Sequence, residues 1–360
     1  MVTGSLISTR QARVPRRRRR SAGEMPQVAV IGLGYWGPNL VRNFHTRPGC
    51  RLKACCDVDG RRLDAVRADY PTVDLCDDSG EILADPQING VVIATPVETH
   101  YWLAKAALLA GKAVLIEKPL TADVAQAEEL VALADERGLT LMVDHTFIYS
   151  PAVAKIKQLF DGGELGELLF IDSVRINLGL IQPDVNVVWD LAPHDLSIVD
   201  YLLGRLPRSV SASGAAHAGR LQEDVAYLNL DFGGGLIANF HVNWLSPVKL
   251  RYTMFGGSRK SVVYNDLETA EKVKVYDRGV DVRGDDPDSR RQRLVDYRTG
   301  DVWSPHLSRD EPLARVADQF IECMARGVRP PSDGQAGLRI VRILDAAQRS
   351  LRAQGARVAL

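Results

Sequence analysis

Apolar runs longer than a strand are missing from this 360-residue chain. A helix that crosses a bilayer needs roughly 18 or more consecutive apolar residues, so a transmembrane helix is excluded. A surplus of charge is missing too, because 45 basic residues balance 45 acidic ones and the formal net charge is +0. Such a chain has no overall field with which to gather nucleic acid or an anionic membrane, and its partners must be chosen by local sites. Cysteine is sparse and irregular. The thiols at 50, 55, 56, 76 and 323 form no C-x-x-C pair and have no histidine at metal spacing, which argues against structural disulfides and against a metal site. A reducing, cytoplasmic setting fits them best, with Cys55 and Cys56 as small core residues at a strand end. There is no internal repeat.

What is present describes an ordinary globular protein, with 46% hydrophobic and 25% charged residues and length enough for two domains. The exception is the basic segment Pro15 to Arg20, in a leader too poor in apolar residues to bury a core. Residues 1–24 therefore read as disordered. Ser21-Ala22-Gly23-Glu24 follows the arginines in place of an apolar export core, so an export signal is disfavoured, and a start at Met25 would account for the whole leader.

The strongest local signal is Val28-Ala29-Val30-Ile31-Gly32-Leu33-Gly34-Tyr35-Trp36-Gly37, a short apolar run leading into G-x-G-x-x-G. The first glycine permits a tight turn, the second admits a pyrophosphate to the backbone, and the third lets the next helix sit close to the strand. That helix presents unpaired N–H groups to phosphate. Asp57 ends the next apolar run, 20 residues past Gly37, where its carboxylate can accept from both hydroxyls of an adenosine ribose and would repel a 2′-phosphate. NAD is favoured over NADP, although Arg61 and Arg62 follow closely.

From Gln27 to Val143 strands and helices alternate, with strands written as continuous Val/Ile/Leu/Ala runs, which predicts a parallel sheet covered on both faces. After Pro151 the pattern changes. One helix, Pro151 to Phe160, precedes period-two stretches at 168–177, 209–215, 225–232, 236–245, 249–255 and 261–264, with a Gly233-Gly234-Gly235 turn between two of them. Within 236–245 the even positions are apolar while Asn239, His241 and Asn243 share the other face, as expected of a mostly antiparallel sheet open on one side. Residues 279–310 read as surface loop, and two closing helices, about 311–326 and 336–353, as packing back on the core. The expected fold is α/β plus α+β: a disordered leader (1–24), a doubly wound Rossmann domain (25–147), and a substrate and oligomerisation domain on the open sheet (148–360).

Two groups of residues could carry chemistry. Glu117-Lys118-Pro119 follows a parallel strand at its carboxyl end, where ligands of open α/β sheets bind, and a lysine there can stabilise alkoxide character on a reacting oxygen. It could equally cap a strand end in solvent. Trp189-Asp190-Leu191-Ala192-Pro193-His194-Asp195 opens an amphipathic helix on which Asp190 and His194, four apart, share a face. A carboxylate beside an imidazole can fix its tautomer and raise its basicity for removal of a hydroxyl proton. Alternatively Asp190 is a helix N-cap and His194 a partly buried helix residue, with Pro193 tolerated because it falls in the first turn.

Taken together these residues resemble the glucose-fructose oxidoreductase, inositol dehydrogenase and rhizopine catabolism (Gfo/Idh/MocA) family. The resemblance covers nearly everything after Met25 and rests on the glycine turn, Ala94-Thr95-Pro96 with Thr99-His100, Gly111-Lys112 leading to Glu117-Lys118-Pro119, and Trp189-Asp190 with His194-Asp195. It implies that Lys118, Asp190 and His194 line the site facing a nicotinamide, and that the Lys118-Pro119 bond is cis. It also implies that Gly32, Gly34, Tyr35, Trp36, Gly37, Asp57, Thr95, Pro96, His100, Glu117 and Lys118 hold NAD. Tyr35 to Phe44, His145-Thr146-Phe147 with Tyr149-Ser150-Pro151, and Val187 to Asp195 look most like the branch acting on nucleotide-linked sugars, whose members oxidise the C3 hydroxyl of a UDP-linked N-acetylhexosamine uronate. Related enzymes act on keto or amino sugars in antibiotic pathways. His145, Arg175 and Asn177 become candidate substrate contacts, and a homodimer or homotetramer through the open sheet is implied. A cyclitol or free or phosphorylated sugar dehydrogenase is the alternative within enzymes. A regulatory protein that senses dinucleotide is the alternative outside them, since a yeast galactose-regulon repressor resembles this fold. A sensor has no need of lysine, aspartate and histidine at the chemical position.

Overall fold

A computed structural model describes residues 25–179, 185–217, 221–282 and 295–360, so the basic leader lies outside the described residues. The first domain runs β1 (Gln27–Ile31), α1 (Gly37–Thr46), β2 (Arg51–Cys56), α2 (Gly60–Asp69), β3 (Asp74–Cys76) and α3 (Ser79–Ala84). It continues with β4 (Gly90–Ile93), α4 (Val97–Leu109), β5 (Ala113–Glu117), α5 (Val124–Arg137) and β6 (Leu141–Asp144). The six strands are parallel in the order β3-β2-β1-β4-β5-β6. Their buried Val, Ile and Leu side chains fill one core on each face, which is why the strands read as unbroken apolar runs. The order reverses between β1 and β4, which opens the crevice in which such sheets bind ligands.

A 3-10 turn (Thr146–Tyr149) leads to α6 (Pro151–Asp161), β7 (Leu168–Leu178) and α7 (Val187–Leu203). Then come β8 (Ser209–Ala215), β9 (Val225–Gly233), β10 (Leu236–Asn243), β11 (Leu245–Gly257), β12 (Ser261–Asn265), β13 (Val273–Val282) and β14 (Val295–Trp303). The chain closes with α8 (Pro312–Arg326), α9 (Gly334–Arg352) and β15 (Val358–Ala359). The second sheet has the order β14-β13-β12-β11-β7-β10-β9-β8-β15, and among the described residues only the β7/β10 pair is parallel. One face packs against α6, α7 and α9 through residues such as Ile171, Phe240 and Phe255, while Asn239 and Tyr227 stand on the other, open face.

The closing helices return to both domains. Phe320 of α8 meets Phe44 of α1 edge to face at 6.1 Å, and α9 places Leu338 and Val341 in the first domain's core and Ile340 and Leu344 in the second's. This two-sided burial ties the lobes to one helix. The expected loop at 279–310 is corrected: β13 extends to Val282 and β14 fills 295–303 as a hairpin at the sheet edge. Charged residues on an edge strand protect it from further pairing and hide its alternation in the sequence. Among the described residues no helix is long and apolar enough to cross a membrane, and no cluster of His, Cys, Asp and Glu could hold a metal.

Candidate active site

The glycine turn is shaped by contacts that leave no room for side chains. Gly32 has φ +96°, and a Cβ on Gly37 would lie 2.2 Å from the Gly32 carbonyl oxygen. Gly34 is different: a Cβ there would meet nothing nearer than an Arg62 nitrogen at 3.8 Å, so its outer side is open to an incoming group. No side chain caps α1 at Trp36, and its first turn is free to face an anion. Asp57 accepts the Leu33 N–H at 2.6 Å, the Asp59 N–H at 2.9 Å and the Arg62 guanidinium at 3.2 Å. A carboxylate offers about four acceptor positions, and the Arg62 side chain is half exposed and can swing away, so a ribose hydroxyl can still be accommodated. This cradle fits a dinucleotide. Tyr35 stands exposed at its rim, and Thr95 and Pro96 end β4 beside it.

His100 is elsewhere. It is buried, with its ring nitrogens 2.9 Å from the carbonyl oxygens of Pro119 and Thr95. The residue thus braces two strand-end loops from beneath and is not free to contact a cofactor, contrary to the expectation. Trp36 reaches from the turn to the end of β6, with Nε1 3.4 Å from Asp144.

At the carboxyl ends of β5 and β6, Glu117 and Asp144 are register partners whose carboxyls act on each other. Burial, then the neighbouring carboxyl, holds Glu117 far above the usual carboxylate range, so the pair retains a proton. Glu117 Oε1 has no partner among the described residues. The next residue, Lys118, precedes a cis peptide bond to Pro119. Its Nζ donates to Asp190 of α7 twice, at 2.9 Å to the carbonyl oxygen and 3.1 Å to Oδ1.

Helix α7 starts earlier than the sequence suggests. Asn186 is its N-cap, accepting the Trp189 N–H at 3.2 Å, so Asp190 is not a cap and Pro193 lies in the helix interior. A proline there cannot bond to the carbonyl four residues back, that of Trp189, and its ring crowds that carbonyl. The disturbed turn is the one that offers the Asp190 carbonyl to Lys118. The Asp190 carboxylate is completed by Trp244 Nε1 at 3.1 Å, and makes no bond to His194 among the described residues. Asp190 therefore fixes Lys118, and its expected hold on the imidazole is corrected.

His194 is steadied by an aromatic ring instead. Phe147 meets it edge to face at 5.1 Å, and the Phe147 ring also carries the Arg175 guanidinium at 4.6 Å. Arg175 in turn grips Asp195, the neighbour of His194, through two bonds of 2.7 and 2.8 Å, both side chains almost wholly buried. These two bonds and its burial make Arg175 a partner of Asp195 rather than an open contact for substrate. Burial, then the charges of Lys118, Arg175 and Arg251 with His145 behind them, hold the His194 imidazole well below its usual titration range and keep it neutral. His145, at the end of β6, is buried with both ring nitrogens unpartnered among the described residues, and its titration is pushed down to about 3 by burial and by Lys118. Asn177 lies two residues past Arg175, its amide beside Gly179 and the Trp244 ring. Trp244, Asp144 and Arg251 were not singled out by sequence reasoning. Phe147 and Asp195 were visible in the quoted motifs, and their pairings with His194 and Arg175 were not.

The geometry agrees with what similarity shows. The profile described as "Oxidoreductase family, NAD-binding Rossmann fold" (GFO/IDH/MocA) matches residues 27–145, and the GFO/IDH/MocA C-terminal domain matches residues 153–262. The uncharacterized oxidoreductase YdgJ of Escherichia coli is 31% identical over 281 residues, 71% of this chain and 78% of that protein. The scyllo-inositol 2-dehydrogenase (NAD(+)) of Bacillus subtilis is 29% identical, over 61% of this chain and 68% of its own. Among solved structures, UDP-N-acetylglucosamine 3-dehydrogenase GnnA from Acidithiobacillus ferrooxidans superposes with TM-score 0.77 at 24% identity, covering 92% of this chain and 99% of that one.

Proposed function

The chain belongs to the Gfo/Idh/MocA family of NAD-binding oxidoreductases, and from that premise we propose that it transfers hydride between nicotinamide and a secondary hydroxyl, at C3, of a nucleotide-linked sugar or amino sugar. The observation that carries this reading is that one helix and one strand end bring an ammonium and a neutral imidazole together: Lys118 is bonded to Asp190, one turn of α7 before His194. NAD, held by the glycine turn and Asp57, would supply the hydride acceptor. Lys118 donates to the substrate oxygen and stabilises the negative charge that develops there. His194 accepts the hydroxyl proton, a role suited to a ring that is uncharged before the reaction. Asp190 and Trp244 hold Lys118 in place, and Phe147 holds His194. His145, whose buried ring nitrogens have no partner among the described residues, and Asn177 are the polar groups we assign to substrate hydroxyls.

The likeness to GnnA supports the nucleotide-sugar branch through fold, and the chain's motifs support it through sequence. The inositol dehydrogenase match favours a cyclitol as the second reading. The open face of the second sheet, where Tyr227 stacks on His241 at 4.4 Å, is the surface we assign to a second copy of the chain. NADH formation with UDP-N-acetylglucosamine, its uronate, myo-inositol and scyllo-inositol decides the substrate. Turnover of a UDP sugar and none of the inositols is expected, and the reverse pattern defeats the nucleotide-sugar reading.

The acid limb gives a second test. An imidazole with an unperturbed pKa near 6.5 is about three-quarters protonated at pH 6, and would lose that share of its action as a base. Lowering the pKa extends the neutral form to lower pH. In α7 itself the facing charges are Asp190 and Asp195, each engaged by a cation, and those from other elements are Lys118, Arg175, Arg251 and His145. For oxidation, kcat/KM is therefore expected to stay flat from pH 8 to about 6. A fall centred near 6.5 would show that His194 is not held neutral.

A further inference from the structure

Two arginines sit side by side on the inner face of the second sheet, and they are engaged differently. Arg175 of β7 and Arg251 of β11 are register partners, and both place their charge on the His194 ring. Arg175 is almost wholly buried and held by both oxygens of Asp195. Arg251 is not. Among the described residues it makes one hydrogen bond, from Nη1 to Asp266 at 3.2 Å, and its side chain remains 31% exposed. Asp266 is shared besides with Lys272 Nζ, at 3.3 Å, and the Tyr264 hydroxyl, at 3.0 Å, so one carboxylate serves two cations. The Arg251 Nε atom is buried and has no hydrogen-bond partner among the described residues. A buried guanidinium N–H without an acceptor is costly, and the group is a planar fork suited to two oxygens of one anion.

We propose that Arg251 is a specificity residue, receiving a carboxylate or phosphate group of the substrate beside the carbon on which Lys118 and His194 act. This rests on the reading of those two residues as the reacting pair. It adds that the site discriminates by charge: a neutral polyol leaves the Arg251 fork unmatched, whereas an anionic substituent completes it. Sites built to hydrogen-bond a polar group reject analogues lacking it strongly, because the buried donors are left unpaired. The anionic oxygens could belong to the sugar ring itself or to the diphosphate of a nucleotide sugar.

Calorimetry on the NADH-loaded protein separates these sources. D-glucuronate against D-glucose reads a ring carboxylate, and UDP-N-acetylglucosamine against N-acetylglucosamine reads the diphosphate. The native protein is expected to bind the anionic member of at least one pair tenfold or more tightly, R251Q to lose that preference, and R251K to retain part of it as a charge without the fork. Equal binding within both pairs, or a preference that survives R251Q, overturns the assignment. The parent reading fails separately. An Arg251-dependent preference for glucuronate with no oxidation of any UDP sugar would remove the nucleotide-sugar branch and leave Arg251 standing, and oxidation of a UDP sugar with no Arg251-dependent preference would do the opposite.

Discussion

Replacing Lys118 by methionine is expected to lower kcat by a factor of about 10²–10³, the loss found when one donor to a developing oxyanion is removed. The NAD dissociation constant should move by less than about threefold, because the glycine turn, the α1 N-terminus and Asp57 make the cradle without it. Arginine is not expected to restore the rate. The Asp190 carbonyl and carboxylate take a compact ammonium at 2.9 and 3.1 Å, and a planar guanidinium presents its donors in a different geometry. Steady-state kinetics beside calorimetric NAD binding check this, and a K118M enzyme of native kcat would remove lysine from the chemistry.

The second large effect falls on stability. Arg175→Met strands the buried Asp195 carboxylate and should cost about 3–5 kcal/mol in denaturant unfolding. Replacing both partners, R175M with D195L, should recover most of that loss, since a well-packed apolar pair often substitutes for a buried ion pair with little change. If the single and double variants unfold alike, the ion pair is not what secures α7 to the sheet. Loss of the guanidinium also frees one face of Phe147, so the double variant is expected to fold well and turn over slowly.

The first domain was legible because its code is local. Unbroken apolar strands, a glycine turn and an acid ending β2 each announce one element, and a parallel sheet has few arrangements open to it. β3, only three residues long, gave too little pattern to register. β14 was hidden for another reason, since an edge strand carries charge on purpose and reads as loop. At the site, the motifs nominated Lys118, Asp190 and His194 and the family resemblance gave them their roles, and neither could show their couplings. The i,i+4 rule placed Asp190 and His194 on one face, and that rule knows nothing of Lys118 and Trp244, which arrive from 72 positions before and 54 positions after Asp190 and take its carboxylate. Arg175 misled in the same way. A strand-position arginine looks like a ligand for substrate until its partner, 20 residues on, is seen beside it. Long-range polar pairing is set by the packing of sheet on helix, so sequence nominates the groups and the fold decides whom they serve.

Hydride transfer in this site requires His194 as the proton acceptor. Pre-steady-state NADH formation, with whichever sugar the native protein oxidises, should be about 10²–10⁴ times slower in H194A at pH 7, the usual worth of a general base, while NAD binding and the unfolding midpoint remain close to native. A H194A protein that forms NADH at the native rate would contradict it.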